Sequence, residues 1–305
     1  MGPLAGIKVI EIKGLGPGPY AGMLLADLGA EVVVVERSSS TTGIALPSAM
    51  DVHSRGKQSI ALDLKSADGL EALMKMVEQA DALFEGFRPG VAERVGFGPD
   101  ACLARNPRLV YGRMTGWGQH GPLSQVAGHD INYIAISGAL AAIGGSDKPA
   151  VPLNLLGDYA GGSLFLVMGM LAALLEAKSS GQGQVVVAAI TDGAASLMSI
   201  FHGMSRLGAS ATQGSANLLD GAAHFYDVYQ TADDKFVSVG PLEPQFYALL
   251  LEKLELDAGT FGHQMDPSRW PELKQRLAEV FRTRTRQQWC ELLEGTDACF
   301  APVLD

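Results

Sequence analysis

Two short stretches carry side chains that could move a proton. Gly128-His129-Asp130-Ile131-Asn132-Tyr133 and, further on, Gly157-Asp158-Tyr159-Ala160-Gly161-Gly162 each set a titratable group at the start of an apolar, helix-like run. The first turn of a helix leaves backbone N–H groups unpaired and carries partial positive charge. One such start can hold an anion. Two facing starts can hold an acid and a base on either side of a reacting carbon, which suits removing and returning a proton next to a carbonyl. Taken singly, each residue has a plainer reading. His129 reads as a structural histidine, and Asp158 as a helix N-cap beside Gly161 and Gly162, which let helices pack closely. Glu243, within Gly240-Pro241-Leu242-Glu243-Pro244-Gln245-Phe246, adds a carboxylate that could orient an imidazole.

The elements that must position these groups read as alternating strands and helices. Lys8–Ile12 and Glu31–Glu36 are buried strands around a helix over Tyr20–Leu28, a unit expected to be right-handed. Ile60–Leu64, Asp81–Glu85 and Leu109–Arg113 read as further strands, and Ser66–Gln79 as a helix capped by Ser66. Two long helices are expected over Ile131–Ile143 and Gly162–Ala177. The Gly181-Gln182-Gly183 break, a strand over Gln184–Ile190 and a helix over Asp192–Leu207 follow. The pattern predicts an α/β fold with an open, mostly parallel sheet. At Ser210 the composition turns small and polar. A hairpin over Phe225–Gln230 and Phe236–Gly240, with helices near 244–254, 270–282 and 284–294, predicts a smaller α+β domain. The expected division is 1–210 and 211–305.

Composition narrows the function. The chain has 305 residues, 47% hydrophobic and 18% charged, enough to bury a sizeable core. A net charge of −10 argues against nucleic acid or an anionic membrane as partner. Cys102, Cys290 and Cys299 form neither a disulfide framework nor a CxxC pattern. The first residues lack a signal peptide's layout, and the apolar run Leu164–Leu175 is broken by Gly169 and short for a bilayer span. The expectation is a cytoplasmic protein. Gly14-x-Gly16-x-Gly18 after the first strand imitates a dinucleotide fingerprint, but Pro19 stands where GxGxxG needs glycine. A proline-stiffened turn feeding a helix is the better reading. No GxSxG, HExxH or paired Cys/His spacing is present. Arg37, Arg88 and Arg94 follow strand ends, and Arg55 and Lys57 precede the third strand. Carboxyl ends of parallel strands share one edge, so Arg37 and Arg88 could converge on a phosphorylated ligand.

Taken together, Glu11, the stretch from Gly14 to Val33, Arg55-Gly56-Lys57, Phe87-Arg88-Pro89-Gly90, the two proton-transfer stretches, Leu219-Asp220-Gly221 and Leu242 to Tyr247 resemble the family III CoA-transferases, the CaiB-BaiF superfamily, and specifically its racemase branch. The resemblance spans essentially the whole chain. It implies a Rossmann-like large domain, a small α+β domain and an interlocked homodimer. It also implies 2-methyl-branched acyl-CoA thioesters as substrates, with CoA part of the substrate and no metal or redox cofactor. His129 and Asp158 match the acid/base pair, and Gly128, Ile131, Asn132 and Tyr133 the stretch that contacts the acyl-thioester. CoA would be held by Arg37, by Leu62, Asp63, Leu64 and Lys65, by Gly86, Phe87, Arg88, Pro89 and Gly90, and by Arg94. Glu243 would support His129, often across the dimer interface. For such chemistry Asp158 must have a raised pKa, and the amide of Asp130 is the candidate donor to the enolate oxygen. A transferase of the same fold, with Asp158 as nucleophile forming a mixed anhydride, and a non-catalytic acyl-CoA-binding protein are the other readings. The apolar stop at Phe300–Asp305 predicts that the natural chain continues and that a return segment of the large domain is absent here.

Overall fold

The structure is a computed structural model and describes residues 2–37, 50–145, 147–208 and 217–305. In chain order its elements are β1 (Lys8–Ile12), α1 (Pro17–Asp27), β2 (Glu31–Glu36), β3 (Lys57–Ala61), α2 (Ala67–Val77), β4 (Ala82–Glu85), α3 (Val91–Val95), α4 (Pro99–Arg105), β5 (Val110–Thr115), α5 (Asp130–Ile136) and α6 (Ala139–Ala142). A π-helical segment, Leu155–Leu164, runs into α7 (Phe165–Ser180). Then come β6 (Val185–Ala189), α8 (Ile190–Leu197), α9 (Ser199–Arg206), β7 (Asp227–Gln230), β8 (Phe236–Val239), α10 (Pro244–Lys253), α11 (Ala258–Phe261), α12 (Trp270–Phe281), α13 (Arg286–Leu293) and β9 (Phe300–Val303). Two compact units result: 1–139 with 152–200, and 140–151 with 201–305. The composition change at Ser210 lies outside the described residues.

The first unit is built on a parallel sheet of order β3-β2-β1-β4-β5-β6. Val9 pairs with Val32 on one side and Ala82 on the other, and Tyr111 pairs with Val185. Strand order reverses between β1 and β4, which makes a crevice at their carboxyl ends where ligands bind in such sheets. Buried residues of β1, β2, β4 and β5 pack against α1 and α7 on one face, through Val9, Val32, Phe84, Leu25, Leu166 and Met170. On the other face they pack against α2 and α4, through Ile10, Leu83, Tyr111, Leu73 and Cys102.

Several boundaries differ from the sequence reading, each for a local reason. The third strand occupies Lys57–Ala61 rather than Ile60–Leu64. It is an exposed edge strand, so its apolar pattern is weak, and Leu62–Lys65 form the loop that follows it. The expected helix 131–143 breaks after Ser137, where Gly138 takes a φ of 84°. The helix expected from Gly162 starts at Leu155, and its π and α parts run on for 26 residues. By length and composition it could cross a bilayer, yet half of its apolar window is buried, with Leu166, Met170 and Leu174 in the core.

Arg55 and Lys57 do not join a ligand-binding edge. Arg55 pairs with Asp27. The Lys57 ammonium, 2% exposed, donates to Glu11 Oε2 at 2.6 Å and to the Pro19 carbonyl at 2.8 Å. This buried pair ties β1, β3 and the first turn of α1 together. Gly22 is required above it, since a Cβ there would stand 2.0 Å from Glu11 Oε2.

The second unit holds an antiparallel sheet, β7-β8-β9, packed with α10, α12 and α13 around Phe225, Tyr229, Leu250, Leu273, Phe281 and Trp289. His224 is fully buried in this core. The Tyr247 hydroxyl donates to the Phe261 carbonyl at 3.0 Å, so it accepts from His224 Nε2 at 2.7 Å. Nδ1 is then bare and has no partner among the described residues. Burial pushes the imidazole pKa down to about 4. A depressed histidine contributes stability above its unfolded value and loses it as pH falls through the folded one. The window is therefore roughly pH 6.5 to 4, and about 3 kcal/mol is at stake. The urea midpoint of the unit should fall across that window. His224→Gln, which does not titrate, should flatten the dependence; an equal slope in that variant would show that His224 is not its source.

Candidate active site

His129 precedes α5, with extended backbone geometry. Its amide donates to Asn132 Oδ1 at 3.0 Å, and its carbonyl accepts from the amides of Asn132 and Tyr133. That closes the turn and leaves the imidazole exposed. Tyr133 anchors the stretch from below. Its hydroxyl donates to the Gly128 carbonyl and its ring meets Trp117 edge-on at 4.8 Å. A Cβ at Gly128 would lie 2.8 Å from both rings, which accounts for glycine there. Burial, then the charge of Asp158, raises the Tyr133 pKa.

Asp158 is not an N-cap. Asn154 caps the π-helical segment, and Asp158 lies one turn inside it. π-helical turns recur at functional sites because the extra residue turns a side chain out of α-helical register. The Asp158 carboxylate faces the loop between β1 and α1: a Cβ on Gly16 would be 3.3 Å from Asp158 Oδ2. The group therefore stands at the reversal point of the sheet. Asn154 Nδ2 reaches Oδ2 at 3.5 Å. Ser163 Oγ donates to the Pro17 carbonyl at 2.7 Å and to that of Asp158 at 3.1 Å, which pins the turn to α1. The Asp158 pKa is raised, first by desolvation and then by the negative charge of Asp130; the Asn154 hydrogen bond and a charged His129 pull it down. Its two leading causes act in the direction that two-sided proton transfer would need.

The candidate CoA residues all lie at the carboxyl edge of the sheet. Arg37 follows β2, Leu62 to Lys65 follow β3, and Gly86 to Gly90 follow β4, with Arg94 on α3. Arg37, Arg88 and Arg94 are exposed there. The loop after β4 is held by a network that the sequence reading overlooked. Glu85, 1% exposed, accepts the Phe87 amide at 2.6 Å and Arg113 Nε at 3.1 Å. Arg113 also reaches Glu93 on α3 at 2.8 Å. Gln125 donates to the Pro89 carbonyl at 3.1 Å, and Gly90 turns with a φ of 82° into α3. A charged residue ending the apolar strand β4, and another inside β5, were the available signals. Glu243 stands exposed in the second unit, directly before α10. A hollow of about 230 Å³ at the opposite edge of the sheet, lined by Ile7, Asp81, Arg108 and Lys178 among others, contains none of these groups.

The sequence profile of CoA-transferase family III matches residues 4–305. The chain is 47% identical over 302 residues to the α-methylacyl-CoA racemase of Mus musculus, covering 99% of this chain and 77% of that protein. It is 44% identical over 302 residues to the α-methylacyl-CoA racemase of Homo sapiens, covering 99% of this chain and 78% of that one. Among solved structures, that of Rv3272 from Mycobacterium tuberculosis superposes with a TM-score of 0.81 at 27% identity, covering all of this chain and 84% of the other.

Proposed function

The chain belongs to CoA-transferase family III, and from that premise we propose that it interconverts the (2R) and (2S) forms of 2-methyl-branched acyl-CoA thioesters by proton transfer at the α-carbon. The observation that carries the reading is the placement of the Asp158 carboxyl on the π-helical turn at the reversal point of the sheet, with its amide bonded to Asp130, the residue after His129. The identity to two α-methylacyl-CoA racemases over 99% of the chain supports it.

The α-proton of a thioester is weakly acidic, and the carbanion left by its removal delocalises as an enolate. One of His129 and Asp158 removes the proton while the other, protonated, delivers one to the opposite face. The reverse reaction exchanges the two roles. A carboxyl group with an ordinary pKa is a poor proton donor near neutrality because almost none of it is protonated; raising the value toward the working pH lets Asp158 serve in both directions. The Asp130 amide, without an acceptor among the described residues, is the proposed donor to the enolate oxygen. Gly128, Ile131, Asn132 and Tyr133 would seat the thioester. Arg37, Leu62 to Lys65, Gly86 to Gly90 and Arg94 would take CoA, the arginines meeting its phosphates. The inversion consumes no electrons, so no redox cofactor enters it.

We assign the assembly as a homodimer in which Glu243 orients the His129 imidazole from across the interface. Exposed apolar side chains at the end of the π-helical segment (Leu164), on α7 (Met168 and Leu175) and on β6 (Val185 and Val187) support a partner surface. Three free cysteines support a reducing compartment, as the cytoplasm provides.

The deciding experiment is incubation with a 2-methylacyl-CoA in deuterium oxide with no acceptor acid added. Loss of the α-proton signal with inversion is the expected result. Turnover only after a free carboxylic acid is supplied would overturn the reading.

A further inference from the structure

We propose that the carboxylate of Asp130, beyond any part its amide plays, is a positioning residue for Asp158: it holds the π-helical turn by accepting the Asp158 amide and sets a second acidic group beside the Asp158 carboxyl. The proposal deepens the racemase reading and rests on it for its catalytic meaning.

Three independent features of the geometry point there. Asp130 Oδ2 accepts the Asp158 N–H at 2.6 Å, a bond between residues 28 apart in sequence that fastens α5 to the π-helical segment. Asp130 is 5% exposed, and its Oδ1 is buried without a partner among the described residues. A carboxylate kept dry with one oxygen unpaired is costly, and a neutral acceptor would satisfy the same amide at less cost. Finally, residue 157 is glycine where a Cβ would stand 2.5 Å from Asp130 Oδ2 and 3.1 Å from Ile134 Cγ2. Backbone and carboxylate are packed as closely as the chain allows.

The like charge has a direction. Two acidic groups this close oppose each other's ionisation, and Asp130 is, after desolvation, the second contributor to the raised Asp158 pKa. The other titratable groups around Asp158 are few. His129 and Tyr133 come from the same side as Asp130. The facing part of α1 carries Tyr20, which stacks on Tyr159 at 4.5 Å. Asp192 on α8 is exposed, and Arg113 on β5 is committed to Glu85 and Glu93. Asp130 is thus the acidic group of this set placed against the Asp158 backbone, and it moves its neighbour toward the range in which one carboxyl can both give and take a proton.

The test is the titration of Asp158 itself, followed by carbon-13 NMR of the aspartate carboxyls, with the Asp158 signal assigned by its loss in Asp158→Asn. In Asp130→Asn, which keeps an oxygen for the Asp158 amide and removes the charge, the Asp158 carboxyl should titrate at lower pH than in the unaltered protein. An unchanged titration would overturn the proposal. Should Asp130→Asn fold poorly, the unaltered protein supplies a second measurement. The Asp158 amide proton should lie downfield, and its shift should follow the ionisation of a carboxyl other than its own; an amide without that dependence would equally overturn it. Asp130→Ala should lower the exchange rate on the order of 10²-fold through misplacement, and Asp130→Asn should recover most of that loss while its acidic pH limb stays displaced. Coincident pH profiles of the Asn variant and the unaltered enzyme would assign Asp130 a purely structural role. Failure of the unaltered protein to exchange any α-proton would instead sink the racemase reading, and the carboxyl titration would still decide the role of Asp130.

Discussion

Asp158→Asn should abolish racemisation and leave one enantiomer exchanging its α-proton with solvent. The substitution preserves the size of the side chain and its packing against Gly16, while removing the carboxyl group proposed to act on that face of the site. A positioned acid or base contributes about 10²–10⁴-fold, so the rate of inversion should fall by that order. His129 remains, exposed at the start of α5. It can still remove a proton from the enantiomer that presents one to it, and it can return only to the same face. In deuterium oxide that enantiomer should take up deuterium with retention, and its mirror form should stay inert. His129→Gln should give the complementary result, with the roles of the enantiomers exchanged. Proton NMR of the (2R) and (2S) substrates, each incubated separately, distinguishes these outcomes. Equal exchange of both enantiomers by Asp158→Asn would mean that another group reaches the second face. A transferase that uses Asp158 as nucleophile would also lose activity in Asp158→Asn, yet it has no need of His129. The histidine variant is therefore the one that separates the two chemistries.

The β–α alternation was legible because most strands of the first unit are covered on both faces and read as apolar runs, as in Glu31–Glu36. β3 is a polar strand exposed along its length at the sheet's edge, so its signal is weak, which is why it was displaced by three residues. The pair His129 and Asp158 was legible by residue type, and the edge that collects Arg37, Arg88 and Arg94 followed from parallel topology alone. The manner in which Asp158 is held was not. Read as an N-cap it would open the helix, whereas the chain begins its turn at Leu155 and the Asp158 amide is given to Asp130. Hydrophobic periodicity does not separate a π-turn from the α-helix that continues it. The Asp130 carboxylate and the Glu85–Arg113–Glu93 network act through contacts between segments distant in sequence, and Asn154 acts within the π-turn itself. Their mark was no more than a polar residue in an otherwise apolar context.

The same π-turn leaves no room for a side chain at Gly193. A Cβ built there would stand 1.9 Å from the Gly161 carbonyl oxygen, with Gly161 Cα at 2.8 Å. Both partners are backbone, so no side chain can swing aside, and α8 must move away from the π-helical segment. Overpacking a fitted interior costs about 1–3 kcal/mol, and a clash between two main chains belongs at the upper end, about 3 kcal/mol. Gly193→Ala should therefore lower the urea midpoint clearly. Its folded fraction should also turn over more slowly, because Gly161 lies on the turn that carries Asp158; a displacement near 1 Å can cost about 10²-fold. KM for the acyl-CoA should change little, since the residues assigned to CoA sit on loops after β2, β3 and β4. Gly203→Ala on α9 is the matched control. No described residue lies within 4 Å of its Cβ position outside its own helix backbone, and alanine in place of helical glycine should be neutral or stabilise by about 0.4–1 kcal/mol. If Gly193→Ala matched this control in stability and in turnover, the close approach of α8 would not be what holds Asp158 in place.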